Sequence, residues 1–249
     1  MYPQRRNRPL VRVNQACVSN LPEDCNAVNI GTWNVRTLKE DGKVKLLLNE
    51  MLRLRIDILG ISETHWNVDT PESWEENGYV IITSSRRDKV HRQGVAIIIK
   101  KEIAICLTDY NIISERIMSI EINTKTGPLT IFQIYAPDSS YDDAEIDMFY
   151  NNLQDEINKL PRKNTFMIIG DFNAIVGKHS YVNWPETAGR YSIGTRNIRG
   201  ERLLQFCAIN NLKIVNTLYK HKFRHLVTWI SPDCKTRNQI DYILVQKKI

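Results

Sequence analysis

Residues 167–177 read MIIGDFNAIVG. Together with Phe166, the apolar run Met167, Ile168 and Ile169 has the composition of a buried strand, and it stops abruptly at Gly170. An aspartate and an asparagine follow two positions apart, Asp171 and Asn173. A carboxylate and a carboxamide at the rim of a buried strand stand where layered α/β folds gather ligands, beyond the strand ends.

Working outward, the same ending recurs. "TWNV" brings Asn34, "GISE" brings Glu63 and "FQIYAP" brings Tyr135 to the carboxyl end of an apolar run, while "NQIDYIL" holds Asp241 between Ile240 and Tyr242. A lone Asp or Asn after a strand is usually a turn former or a cap, and a strand-end tyrosine usually packs with its hydroxyl in water. Asp241 resists that reading, because a buried carboxylate is costly unless a donor such as His, Arg or Asn partners it. As a set, oxygen ligands without neighbouring His or Cys suit Mg²⁺, with Mn²⁺ as the substitute, and such an ion commonly also holds substrate phosphate. Glu63 would hold the ion and Asp171 would orient or deprotonate water. Asn34 and Asn173 would coordinate or donate without adding charge, and Tyr135 would steady developing charge.

The chain has 249 residues, a length that one α/β domain accommodates and that buries a large core without staples. Its five cysteines are odd in number, widely spaced and outside any CxxC pattern, which excludes a zinc ribbon or a disulfide framework and implies a reducing, intracellular setting. No apolar run approaches the roughly 18 residues of a membrane span, and the amino terminus lacks the apolar core of a signal peptide, so neither a membrane protein nor a secreted one is expected. The formal net charge is +6, but Arg5, Arg6, Arg8 and Arg12 supply four of those charges and leave +2 for the rest. Residues 1–27, without periodicity, read as a disordered basic leader, and 28–249 as one domain.

Within that domain, Val44, Leu47, Leu48, Met51 and Leu54 recur at helical spacing behind the Asp41-Gly42 turn. Strands are expected at "DILGISE", "YVIITS", "GVAIIIK", "IAICLTD", "RIMSIEI" and "LTIFQIYA". Ser140 with Asp143 has the spacing of a capping box, and Ile146, Phe149, Tyr150, Leu153, Ile157 and Leu160 form one helical stripe ended by Pro161. A strand over 165–170, a helix near 199–210 and strands at "LKIVN", "LVTWI" and "QIDYILV" follow. Many strands with helices at intervals predict two packed sheets covered by helices.

The ordered set "WNVR", "ISET", "IYAP", "GDFNA", "TW" and "QIDYIL" resembles the endonuclease/exonuclease/phosphatase superfamily from about residue 29 onward, most closely the endonuclease domains of non-LTR retrotransposons. The resemblance implies a four-layer, DNase I-like α/β sandwich of two mixed sheets flanked by helices, with the active site at one end of the sheets. It assigns Asn34 and Glu63 to the metal, Tyr135 to phosphate, and Asp171 and Asn173 to water activation and phosphate binding. It matches Trp229 to a surface position near DNA and Asp241 to the aspartate that orients a catalytic histidine.

That histidine belongs to a Ser-Asp-His motif after the "DYIL" strand, and the sequence ends at Ile249 before it. The expectation is therefore a sandwich lacking its last strand and a strongly impaired enzyme. His221 and His225, in a basic loop, are better read as surface residues. Arg36 stands where related apurinic endonucleases carry an acid next to the metal site, and would either weaken a second cation site or contact phosphate instead. Two further basic loops, 84–94 with Arg86 and Arg87 and 189–200 with Arg196 and Arg199, would add phosphate contacts, with Trp229, Tyr191 or Tyr219 available to stack on bases. The expected partner is DNA, the expected protein a nuclear monomer. The alternatives are a non-catalytic binding remnant and a phosphatase of small phosphorylated substrates.

Overall fold

The computed structural model describes residues 10–14, 27–40, 42–67, 69–84 and 93–247. The first half of the chain supplies β1 (Leu10–Asn14), β2 (Ala27–Asn34), α1 (Lys43–Leu54), β3 (Ile58–Ser62), β4 (Ser73–Glu76), β5 (Tyr79–Thr83) and β6 (Val95–Lys100). These strands form a six-stranded sheet in the order β1-β2-β3-β6-β5-β4. The short α2 (Lys101–Ala104) leads to β7 (Leu107–Ile112), β8 (Ile117–Thr124), β9 (Gly127–Tyr135), α3 (Asp143–Lys159) and β10 (Thr165–Asp171). After α4 (Ser180–Asn183) and α5 (Ile198–Ile209) come β11 (Leu212–Ile214), α6 (Phe223–Leu226), the two-residue strands β12 (Trp229–Ile230) and β13 (Arg237–Asn238), and β14 (Asp241–Gln246). The second six-stranded sheet runs β11-β14-β10-β9-β8-β7. Both sheets are mixed: β2 and β3 are parallel, as are β9 and β10, among antiparallel neighbours.

The period of two in each strand builds the layers. In β6, Val95, Ile97 and Ile99 join Ile120, Ile131 and Ile169 between the sheets, while Ala96 and Ile98 meet Leu47, Leu48 and Met51 of α1 on the outer face. In the second sheet, Phe132 and Ile168 turn the other way, toward Phe149, Tyr150 and Leu153 of α3 and Leu203 and Leu204 of α5. Helix, sheet, sheet and helix follow in that order, so the architecture is the expected four-layer α/β sandwich.

The expectation of a leader outside the fold needs one correction: Leu10–Asn14 pairs antiparallel with Ala27–Gly31 along the edge of the first sheet. The strand was hidden among Arg, Asn and Pro, where five residues are too few to display a period. The rest of the segment lies outside the described residues. "IAICLTD" is also corrected, because Lys101–Ala104 is a helical turn and the strand begins only at Leu107. The α3 capping box is Asp142 with Glu145, not Ser140 with Asp143. Ser140 instead bonds back to the Asp138 carboxylate through its amide and hydroxyl, at 2.8 and 2.6 Å.

A candidate active site at the sheet ends

Strand register explains why residues far apart in sequence arrive together. In the second sheet Asp171 pairs with Tyr135 on one side and Asp241 on the other, which sets the three in one row across β9, β10 and β14. In the first sheet Asn34 pairs with Ser62, and Glu63 follows directly. The two rows meet through Asn34, whose Nδ2 donates to Glu63 Oε1 at 2.6 Å and to Asp171 Oδ2 at 3.0 Å. Its Oδ1 accepts from the Arg36 amide at 3.0 Å. One carboxamide thus joins two carboxylates carried by different sheets.

The turn after β10 is built to hold Asp171. Gly170 has φ 150°, and a Cβ there would lie 2.1 Å from the Ile134 carbonyl oxygen, so only glycine lets β10 approach β9 this closely. The Asn173 amide donates to Asp171 Oδ1 at 2.9 Å, and its side chain donates to the Ala136 carbonyl at 2.8 Å. Asn173, Glu63, His65 and Arg36 all take left-handed backbone conformations, with φ of 47°, 57°, 54° and 56°. Such strain away from glycine costs on the order of 1–3 kcal/mol per residue and concentrates where surrounding structure fixes a functional geometry.

Electrostatics follow from this enclosure. Burial pushes the Asp171 carboxyl up to about 6, and the Glu63 charge adds to it, against the bonds from Asn34 and Asn173. Burial, then the charges of Glu63 and Asp171 and a hydrogen bond with Glu63, hold the Tyr135 hydroxyl proton far above the usual tyrosine range. Tyr135 therefore remains a donor at any physiological pH.

Two contributors escaped the sequence reading. Arg116 is buried, donates to the Tyr135 carbonyl at 3.2 Å, and lies over the rings of Tyr135 and Tyr141, 5.1 and 4.8 Å from their centroids. A charged residue opening the apolar run "RIMSIEI" was the available signal. Thr228 is the second: its hydroxyl accepts from the amides of Ile240 and Asp241 at 3.0 and 3.2 Å. That contact ties the β12–β13 hairpin, and with it the half-buried Trp229, to the strand carrying Asp241.

The proposed cationic contacts divide. Arg36 is exposed at the rim. Arg196 pairs with Glu201 at 3.1 Å. Arg199 has another task, bonding Asp143 at 2.8 Å and the Tyr141 carbonyl at 2.9 Å, and so fastens α5 to the start of α3. Arg86 and Arg87 lie outside the described residues. His221 and His225 are exposed, and His225 Nε2 accepts from Arg224 at 3.0 Å. Among the described residues no three His, Cys, Asp or Glu side chains form a metal cage, and no helix is long and apolar enough to cross a membrane.

Comparison with known proteins agrees with this fold. The chain is 37% identical over 219 residues to craniofacial development protein 2 of Bos taurus, an alignment covering 88% of this chain and 36% of the relative. The match to the same protein of Tragulus javanicus is also 37% identical and covers 37% of it, so the chain spans little more than a third of these curated relatives. Among solved structures, the endonuclease domain of TRAS1, a telomere-specific non-LTR retrotransposon, superposes with a TM-score of 0.59 at 15% identity, covering 88% of this chain and 84% of that one. The AP endonuclease LMAP from Leishmania major gives 0.62 at 14% identity, covering 88% and 78%. These likenesses share the four-layer architecture, and a family model matched over residues 31–248, from β2 through β14, embraces both rows of the site: the chain belongs to the endonuclease/exonuclease/phosphatase family.

Proposed function

We propose that this chain is a Mg²⁺-dependent phosphodiesterase that nicks DNA. The observation that carries the reading is the single carboxamide of Asn34 bridging Glu63 and Asp171 across the two sheets. Two carboxylates that close repel each other, and a cation between or beside them relieves the repulsion. The donor set fits Mg²⁺, which keeps most of its waters and needs only one or two protein oxygens: Glu63 would supply one, and Asn34 the other once its Oδ1, here facing the Arg36 amide, is turned toward the carboxylates. When bound, the ion would neutralise phosphate charge and stabilise the leaving oxygen.

The chain's own residues supply the rest. Asp171, with its carboxyl pushed up to about 6, is matched to accepting a proton from water near neutral pH. Asn173 holds Asp171 Oδ1 through its amide and so aims the other oxygen. Tyr135, always protonated, donates to a phosphate oxygen. Asp241, one strand over and held through its amide by Thr228, adds a third acidic side chain to the site and completes the row. Arg36 and the loop around Trp229 contact the DNA. The motif resemblance extends the proposal to a retrotransposon-derived, nuclear enzyme that leaves a 3′-hydroxyl able to prime synthesis.

Supercoiled plasmid tests the reading. In Mg²⁺ the protein is expected to convert it to open circles, EDTA is expected to stop the conversion, and Glu63→Ala to slow it by about 10²-fold or more. Phosphate release from nucleotides or inositol phosphates with the plasmid intact would replace this proposal with a phosphatase. Salt-sensitive binding without cleavage would replace it with a non-catalytic binding module.

A further inference from the structure

Among the described residues the layer between the two sheets is built mainly of apolar side chains, and immediately beneath the site it holds a cluster of buried polar ones. There β9 points Gln133, fully buried, into the layer lined by Ile131 and Ile169. Its Nε2 donates to Ser62 Oγ at 2.9 Å and to the Ile134 carbonyl at 3.1 Å, and its Oε1 accepts from Thr32 Oγ1 at 3.4 Å. Ser62 and Thr32 are also fully buried, and the Ser62 hydroxyl donates to the same Ile134 carbonyl at 3.3 Å. The facing strand is shaped around this amide, since a Cβ on Gly60 would come within 1.9 Å of Gln133 Oε1. Each partner adjoins a site residue: Thr32 is two positions before Asn34 on the same face of β2, Ser62 directly precedes Glu63, and Gln133 is two before Tyr135 on the same face of β9.

We propose that Gln133 is a positioning residue whose amide fixes the spacing and register of the two sheets where Asn34 and Glu63 must meet Asp171 and Tyr135. Apolar contacts between sheets are non-directional and tolerate sliding. A buried amide with directional partners on both sheets does not, because any slip leaves buried polar atoms unsatisfied. The bridge thus converts greasy stacking into one defined alignment at the end where the site is assembled. Partners that orient metal-holding groups commonly carry a 10–100-fold effect on metal affinity. This consequence rests on the reading of the rim as a metal-dependent active site, whereas the alignment itself is measurable without metal.

The test is Gln133→Met, which keeps the volume and removes the directional bonds. In metal-free, ¹⁵N-labelled protein the Asn34 side-chain amide reports its bonds to Glu63 and Asp171. The expected result is that Gln133→Met shifts this resonance toward that of a free carboxamide while the sheet backbone pattern is retained, and that Mn²⁺ binding by calorimetry weakens about tenfold or more. An Asn34 resonance unchanged in Gln133→Met, with only the unfolding midpoint lowered, overturns the proposal. If Gln133→Met does not fold, Ser62→Ala, which deletes one arm of the bridge, is read the same way. A wild-type protein that binds no Mn²⁺ refutes the metal reading, and the Asn34 resonance still decides the role of Gln133.

Discussion

Asp171 sits in an enclosure that acts directly on its charge. Its carboxyl is raised from 3.8 to about 6, chiefly by burial. Between those values the native protein holds a proton that the unfolded chain has released, so in the absence of a cation stability is higher on the acid side and falls as pH rises through that window. Asp171→Asn removes the charge and keeps the shape. In EDTA, its urea midpoint is expected to exceed that of the wild type near pH 7, with the difference shrinking toward about pH 4. A difference that stays constant across this range would assign the effect to packing instead. Asp171 and Glu63 were legible in the sequence because each interrupts an apolar run at its end. Gln133 was not, since a polar residue inside an apolar strand acquires meaning only from the facing layer, and Arg116 offered only a charge at the head of an apolar run, whose partners Tyr135 and Tyr141 the fold supplies. The partner of Arg199 was equally invisible, because Asp143 lies on a different helix that only the fold brings near.

At the scale of elements, alternation exposed the core strands and local chemistry misled at their ends. In "IAICLTD" the buried Ile103 and Cys106 are three positions apart, and the Cys106 amide bonds the Ile103 carbonyl, so one helical turn buries both before the strand starts. β4 carries the sequence SWEE with exposed and half-buried residues in alternation, a polar edge strand without an apolar run to announce it. The start of α3 offers a direct test of cap assignment. Asp142 accepts from the Glu145 amide at 2.8 Å, and the Glu145 carboxylate accepts from the Asp142 amide at 3.3 Å. Asp142→Ala should cost about 1 kcal/mol. Ser140→Ala, in an exposed turn outside the helix, should cost less than about 0.5 kcal/mol. Urea unfolding of the two variants side by side checks the pair, and equal losses would mean that both residues cap.

For the molecule as a whole, the informative feature is how the later loops attach to the acidic end of the sheets. Ile193, Leu226 and Val227, with Ile230, form a small core of their own. The Tyr191 amide bonds the Thr217 carbonyl at 3.0 Å, the Lys178 amide bonds the Gly194 carbonyl at 3.0 Å, and Thr228 holds the backbone of Asp241. Residues 189–197 and 217–230 are therefore one lobe, anchored to β14 at Asp241 and, through Lys178, to the segment that follows β10. The lobe exposes Lys220, Lys222 and Arg224 beside the exposed rings of Tyr219 and Phe223. If DNA reaches the site across this surface, each cation that neutralises a phosphate contributes nearly one to the slope of log affinity against log salt. Replacing Lys220, Lys222 and Arg224 together by alanine should lower the magnitude of that slope by roughly 2–3. The companion variant Lys101→Ala/Lys159→Ala, at lysines paired with Glu75 and Glu156 elsewhere on the surface, should leave it unchanged. Fluorescence anisotropy with a short duplex between about 50 and 200 mM salt reads both. A triple variant with the wild-type slope would place the DNA on another face, and the lobe would then serve only to brace β14.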